Sequence, residues 1–220
     1  MAGMTDERKS KIALIAGSLG GLLTMAMHPV ATGPLPPQQI ERLMALSGAV
    51  HALGIVSVVL LFLGACGLTR TIAAADRISF AAIVTYGFAC VALVLAATVS
   101  GFVVPSIMHH MVRDVPSAMP QWQIVIYGIF QINQACASIY SVAASAAIIL
   151  WSISALRNGG FGRGAAVYGC IISTLIILGM GMGHVQLDVH GMAAVWLGQA
   201  VWFILVGFQL RSRPVAHSTQ

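Results

Sequence analysis

The sequence predicts an all-α protein: a polytopic bundle of six transmembrane helices with both termini in the cytoplasm. Three observations carry this. The chain is 58% hydrophobic and only 8% charged, with a mean hydropathy of +0.90, whereas soluble domains carry about a quarter charged residues. Its apolar residues fall into six runs, each near the ~20 residues that cross a bilayer core. The lysines and arginines between those runs alternate between two sides, as the positive-inside rule requires.

Span one is expected from about Ile12 to Val30. It follows Arg8-Lys9-Ser10-Lys11 like a signal peptide, but the run ends in Met27-His28-Pro29 without a small-x-small cleavage site, so it reads as a retained helix, with residues 1–11 as a tail. Loop 31–49 contains Pro34, Pro36 and Pro37, which oppose regular helix; Gln38 to Ala49 can start a helix leading into span two, Val50 to Leu68. Span three covers Ser79 to Val104, and the loop after it is bracketed by Pro105 and Pro120. Span four lies within Gln121 to Leu156, too long for a simple crossing. Counting back from Arg157 sets its membrane part at about 131–156, with Trp122 and Tyr127 on an outward extension. After the Asn158-Gly159-Gly160 turn signal, span five runs from Gly164 to Gly183 and span six from Gly191 to Leu210, leaving 211–220 as a second tail.

Arg8, Lys9, Lys11, Arg70, Arg77, Arg157, Arg163, Arg211 and Arg213 share one side, and Arg42 and Arg113 lie on the other. Nine against two sets the first side as cytoplasmic and points to the inner (plasma) membrane. The basic residues form no stripe with interleaved aromatics, so no nucleic-acid partner is expected. Lipid is. Cys66, Cys90, Cys136 and Cys170 fall in four different spans, and none makes a C-x-x-C pair, which reads as packing rather than a disulfide framework. Glycines four apart (Gly17 with Gly21, Gly160 with Gly164, Gly179 with Gly183) predict close helix approach. Ser138, Ser141, Ser145, Ser173, Thr174 and Gln199 are expected to bond between helices.

The functional signal is one-sided. His28, His51, His109, His110, His184 and His190 all fall at the external, periplasmic ends of the spans, and span four brings Gln131, Asn133 and Gln134 to the same depth. Glu41, Asp114 and Asp188 belong to the loops there. Methionines accompany the histidines in Met25-Ala26-Met27-His28, Met108-His109-His110-Met111 and Met180-Gly181-Met182-Gly183-His184. Met180 and His184, four apart, share a face if the helix continues.

Imidazole suits copper, iron and zinc, and thioether favours copper(I) or a haem axial position. The expected site is therefore a transition-metal centre for redox or metal handling. Its ligands come from His28, His51, His109, His110, His184, His190, Met180 and Asp188. Copper is favoured by the methionines. A b-type haem is the other cofactor, held by His28 or His51 with His109, His110 or His184, and a quinone would meet Gln131, Asn133 and Gln134. Two further readings stand beside it. One is a non-catalytic accessory subunit of a larger membrane complex, its histidines binding pigment. The other is a zinc-dependent membrane enzyme acting on an apolar substrate. No H-E-x-x-H, G-x-S-x-G, P-loop or dinucleotide-binding motif occurs. No carboxylate lies at mid-membrane, which disfavours proton-coupled transport.

Overall fold

The computed structural model describes residues 2–29, 37–73, 76–113 and 119–210. Among them the chain is helical throughout, without strands: α1 (Ala2–Ala26), α2 (Pro37–Ala73), α3 (Arg77–Thr98), α4 (Val104–Arg113), α5 (Met119–Asn158), α6 (Arg163–Gly181) and α7 (Val189–Gln209). A wide π turn, Val99–Val103, joins α3 to α4, so that Arg77–Met111 forms one apolar span. This span, α2, α5, α6 and α7 are each long and apolar enough to cross a membrane. The protein is a multi-pass helical membrane bundle.

Residues 2–11, expected as a tail, are helical and continuous with α1. They are mostly good helix formers, and Glu7 pairs with Lys11 one turn on. The apolar part of α1, Ile12 to Ala26, is consequently the shortest. The helix stops before Pro29, which disfavours helical backbone in the residue ahead of it; Val30 lies outside the described residues. Pro37 opens α2, where its missing N–H costs nothing. At 1.5 Å per residue, the 37 residues of α2 are about 55 Å long and the 40 of α5 about 60 Å, against a core of ~30 Å. Both overrun the bilayer.

One end of the bundle is basic. Here Asp76 caps α3 through its amides at Ile78 and Ser79 and accepts from Ser154 and Asn158 of α5. Just inside, Tyr86, Trp151, Trp202 and Phe203 pack as a closed aromatic group, and Trp151 Nε1 donates to Thr69 Oγ1. The other end carries the histidines.

α1 and α2 run antiparallel in tight register. Ser10 lies on Gly67, Leu14 on Gly64, Gly17 on Leu61, Gly20 on Ser57 and Thr24 on Gly54. Helices without a hydrophobic drive to associate in lipid depend on such close packing. Of the glycine pairs expected to pack, Gly17 and Gly21 do so, against α2 and against Trp196 of α7. Of the other two pairs only Gly160 approaches another helix, lying against Ile72 of α2. Gly164 meets nothing within 4 Å, while Gly160 and Gly183 have φ of +117° and +75° and serve turns.

Of the polar residues expected to bond between helices, Ser145 and Gln199 do so, and Ser141 also reaches Met192 Sδ of α7 at 3.9 Å; the rest bond locally or not at all. Ser138 and Ser141 donate to carbonyls four residues back on their own helix, Ser173 Oγ is without a partner, and Thr174 is exposed. Such local bonding competes with partners on other helices. The interhelical polar link is built on Gln199, 1% exposed, which accepts from Tyr140 and donates to Ser145, so that two of the expected residues bond to each other. Replacing it, Gln199→Leu, leaves the Tyr140 hydroxyl unpaired. We expect a coupling of about 0.5–2 kcal/mol in a double-mutant cycle of Gln199→Leu with Tyr140→Phe, read by unfolding in detergent. Additive losses would show that the bond contributes nothing.

Candidate functional site: a histidine pair on an apolar cavity

The α1–α2 register ends at the histidines. After Thr24 on Gly54, the next contact is His28 against His51, ring centroids 5.0 Å apart at 73°, edge to face. His51 is buried and His28 half-buried. His28 Nδ1 is buried with no hydrogen-bond partner.

The π turn positions His51. Within it the Val104 amide bonds Val99 O, five residues back. The amide that would take the Ser100 carbonyl in the same pattern is at 105, and Pro105 has none. The Ser47 hydroxyl of α2 donates to that carbonyl at 3.3 Å. Ser100 Oγ in turn donates to Asn133 Oδ1 of α5 at 3.2 Å. Gly101 sits flat against His51; a β-carbon there would lie 2.8 Å from Cγ of the ring. π turns recur at functional sites because they displace the backbone from helical register.

His51 Nδ1 lies 2.7 Å from the Ser47 carbonyl. A carbonyl only accepts, so Nδ1 carries the proton and donates, and Nε2 of the neutral ring keeps its lone pair.

Beside the pair opens a cavity of about 510 Å³. His28, Ser47, His51, Ser100, Asn133 and Gln134 are polar groups of its lining, together with Thr24, Asp188 and the indole of Trp196, and Met25, Met44, Met108 and Met192 add thioethers. Most of the remaining lining is aliphatic and aromatic, with Ala96, Ala97 and Ala137 leaving space. Gln134 Nε2 donates to Leu187 O and ties down the α6–α7 turn at the rim. A second, more open groove of about 370 Å³ runs between α4 and α5, lined by Met111, Met119, Gln123, Ile126, Tyr127 and Phe130.

Of the residues the sequence singles out, the structure gathers His28, His51, Asn133, Gln134 and Asp188 on one cavity. The others lie apart, each for a local reason. α6 ends in a Schellman motif: Gly183 is left-handed, its N–H bonds Met180 O, and His184 N bonds Gly179 O. That turns His184 outward, exposed, and ends the helix before Met180 and His184 can share a face. Met180 packs instead with Ile176, Leu187 and Val195. Asp188 caps α7, accepting from Gly191 N at 2.7 Å; His190, two residues on, is exposed. His109 and His110, with rings 6.1 Å apart, lie on α4 outside the cavity lining. Gln131 is exposed, about 200° around the helix from Asn133, and does not line the cavity. Among the described residues no three of His, Cys, Asp or Glu converge as a metal-binding group. Asp114 and His217 lie outside the described residues.

Sequence reasoning missed Ser47 and Ser100. The signal was present in Ser100-Gly101 five residues before Pro105, a helix with a forced vacancy in its hydrogen bonding. Comparison with protein families, with curated proteins and with solved structures gives no match for this chain.

Gly101 is the position where the site can be tested without touching a polar group. We expect Gly101→Ala to push His51 from its seat and to destabilise the protein by about 1–3 kcal/mol, the usual cost of overpacking. Gly48→Ala, whose β-carbon would meet only the Gly101 carbonyl at 3.6 Å, should be neutral or slightly stabilising. Thermal unfolding of both in the same detergent makes the comparison, and equal effects would refute the packing assigned to Gly101.

Proposed function

We propose that the protein is a membrane-embedded binding protein that holds one apolar molecule in the cavity by a small polar head, with His28, His51 and Asn133 as the head-group contacts. The observation that carries this is a close imidazole pair, His51 buried and His28 half-buried with its Nδ1 unpartnered, on a largely apolar cavity. Its volume falls in the range of small-molecule sites, roughly 300–1,000 Å³, which are mostly apolar with a few placed polar groups. Ionisable groups at membrane depth mark functional sites by default. With the basic end in the cytoplasm of a plasma membrane, the cavity opens in the outer half of the bilayer.

A soft metal ion is the second reading, favoured by the ring geometry. Two imidazoles bound cis to one metal at about 2.0 Å set their centroids about 5 Å apart, close to the 5.0 Å of His28 and His51. Met25, Met44 and Met108 on the same cavity supply thioethers suited to copper(I). Zinc would need further ligands. At 5.0 Å the two rings are too close to sit on opposite faces of a porphyrin, so a haem would take one of them as a ligand.

The test is to purify wild type and a His28→Phe, His51→Phe variant in mild detergent. Organic extracts go to mass spectrometry and the protein to elemental analysis and an optical spectrum. The expected result is one apolar molecule per chain in wild type, lost from a variant that keeps its helical circular dichroism. Stoichiometric copper lost in the variant, or a Soret band, would replace this reading with the metal or haem one. A wild type free of ligand, metal and colour would overturn both.

A further inference from the structure

We infer that the head group of the ligand is a hydrogen-bond donor, so that the cavity selects apolar alcohols or phenols over the matching ethers, ketones and quinones. This rests on the binding-protein reading above. It follows from a chain of bonds that leaves only one proton arrangement at His51.

Pro105 brings no N–H to the Ser100 carbonyl, so the Ser47 hydroxyl donates there. With its proton committed, Ser47 Oγ turns a lone pair toward His51 Nδ1, 3.4 Å away. The Ser47 carbonyl, at 2.7 Å, offers Nδ1 another acceptor. Nδ1 thus faces two acceptors and holds the ring proton. Nε2, on the opposite edge of the ring, is an acceptor only. The Nδ1 edge packs on Gly101 and Ser47, so the Nε2 edge is left to the cavity and to His28.

The same chain orients Asn133. Its Oδ1 accepts from Ser100 Oγ, so its amide NH₂ is the group left to the cavity. An acceptor at His51 and a donor at Asn133, linked through Ser47 and Ser100, match one hydroxyl, which donates to the first and accepts from the second. An ether or ketone oxygen satisfies Asn133 but faces the His51 lone pair with another. A site built around a hydroxyl rejects the analogue lacking it strongly, because buried groups are then left unpaired. Aliphatic alcohols and phenols, including quinols, share this chemistry.

The experiment uses the full chain in lipid nanodiscs, with empty nanodiscs as background. Binding is measured for para-decylphenol and its methyl ether, and for decanol and its methyl ether. The expected result is hydroxyl forms binding at least ~10-fold more tightly than their ethers. A preference for the phenol over decanol assigns the aromatic class, and the reverse assigns the aliphatic one. In protein labelled with ¹⁵N-histidine, the His51 Nε2 resonance should be that of a bare nitrogen and should move on binding, while Nδ1 stays protonated. Ethers that bind as well as the hydroxyl compounds, or a proton found on Nε2, would overturn the donor assignment while leaving the cavity reading intact. Binding of none of the four would overturn both. The spectrum needs no variant, so misfolding cannot mimic the result.

Discussion

In lipid, a carbonyl that its own helix cannot satisfy has to find another donor, because no water is there to serve. Ser100 is where this chain meets that requirement. Pro105 removes the amide that a π turn would supply, and the donor comes from α2 as the Ser47 hydroxyl. Around that one bond the rest of the site is arranged. It fixes α2 to the span 77–111, sets the side of His51 that carries the proton, and joins the network to Asn133 on α5. The Gly101 surface then holds the imidazole flat. A proline placed after a long apolar run thus acts as more than a helix boundary.

The two ends of the bundle solve the packing problem in opposite ways. At the basic end large rings meet one another, and Asp76 draws Ser154 and Asn158 onto the start of α3. At the histidine end small residues, Ala96, Ala97 and Ala137, line the cavity. The overlong α2 and α5 project at this end, because their other ends are held at the Asp76 cluster and the α5–α6 turn. The cavity lies at the root of that projection, between a rigid floor and helices that continue past the bilayer core.

The helices were legible in the sequence because lipid imposes a length and a composition on each crossing, and the basic residues count the crossings. The one-sided layer of histidines was legible too, as a depth. Direction was not. Depth follows from counting residues, whereas direction depends on how each helix ends and on its rotation. His184 is thrown outward by the left-handed Gly183. Asp188 is drawn to the Gly191 amide as a cap. His28 and His51 meet because small residues on α1 and α2 lock the two helices every three or four positions, from Ser10 on Gly67 to Thr24 on Gly54. That alternation, Gly17 and Gly20 on one helix with Gly54, Gly64 and Gly67 on the other, was open to reading and predicts the pair when carried one step further.

Access to the cavity adds a constraint on what the site does. The cavity of about 510 Å³ is partly open to its surroundings, so lipid or solvent enters it. A lipid acyl chain meets the apolar wall as well as any ligand does, and it has nothing to offer His51 Nε2 or the unpartnered His28 Nδ1. Leaving such groups unpaired costs about 1–3 kcal/mol each. A molecule with the same apolar body and one correctly placed hydroxyl recovers that energy. The preference over bulk lipid then comes almost wholly from the polar corner, even though the apolar wall makes most of the contact. Lipid is present in vast excess as the competing occupant, so selection of a scarcer molecule depends on that corner keeping one proton arrangement, which the bonds from Ser100 through Ser47 favour.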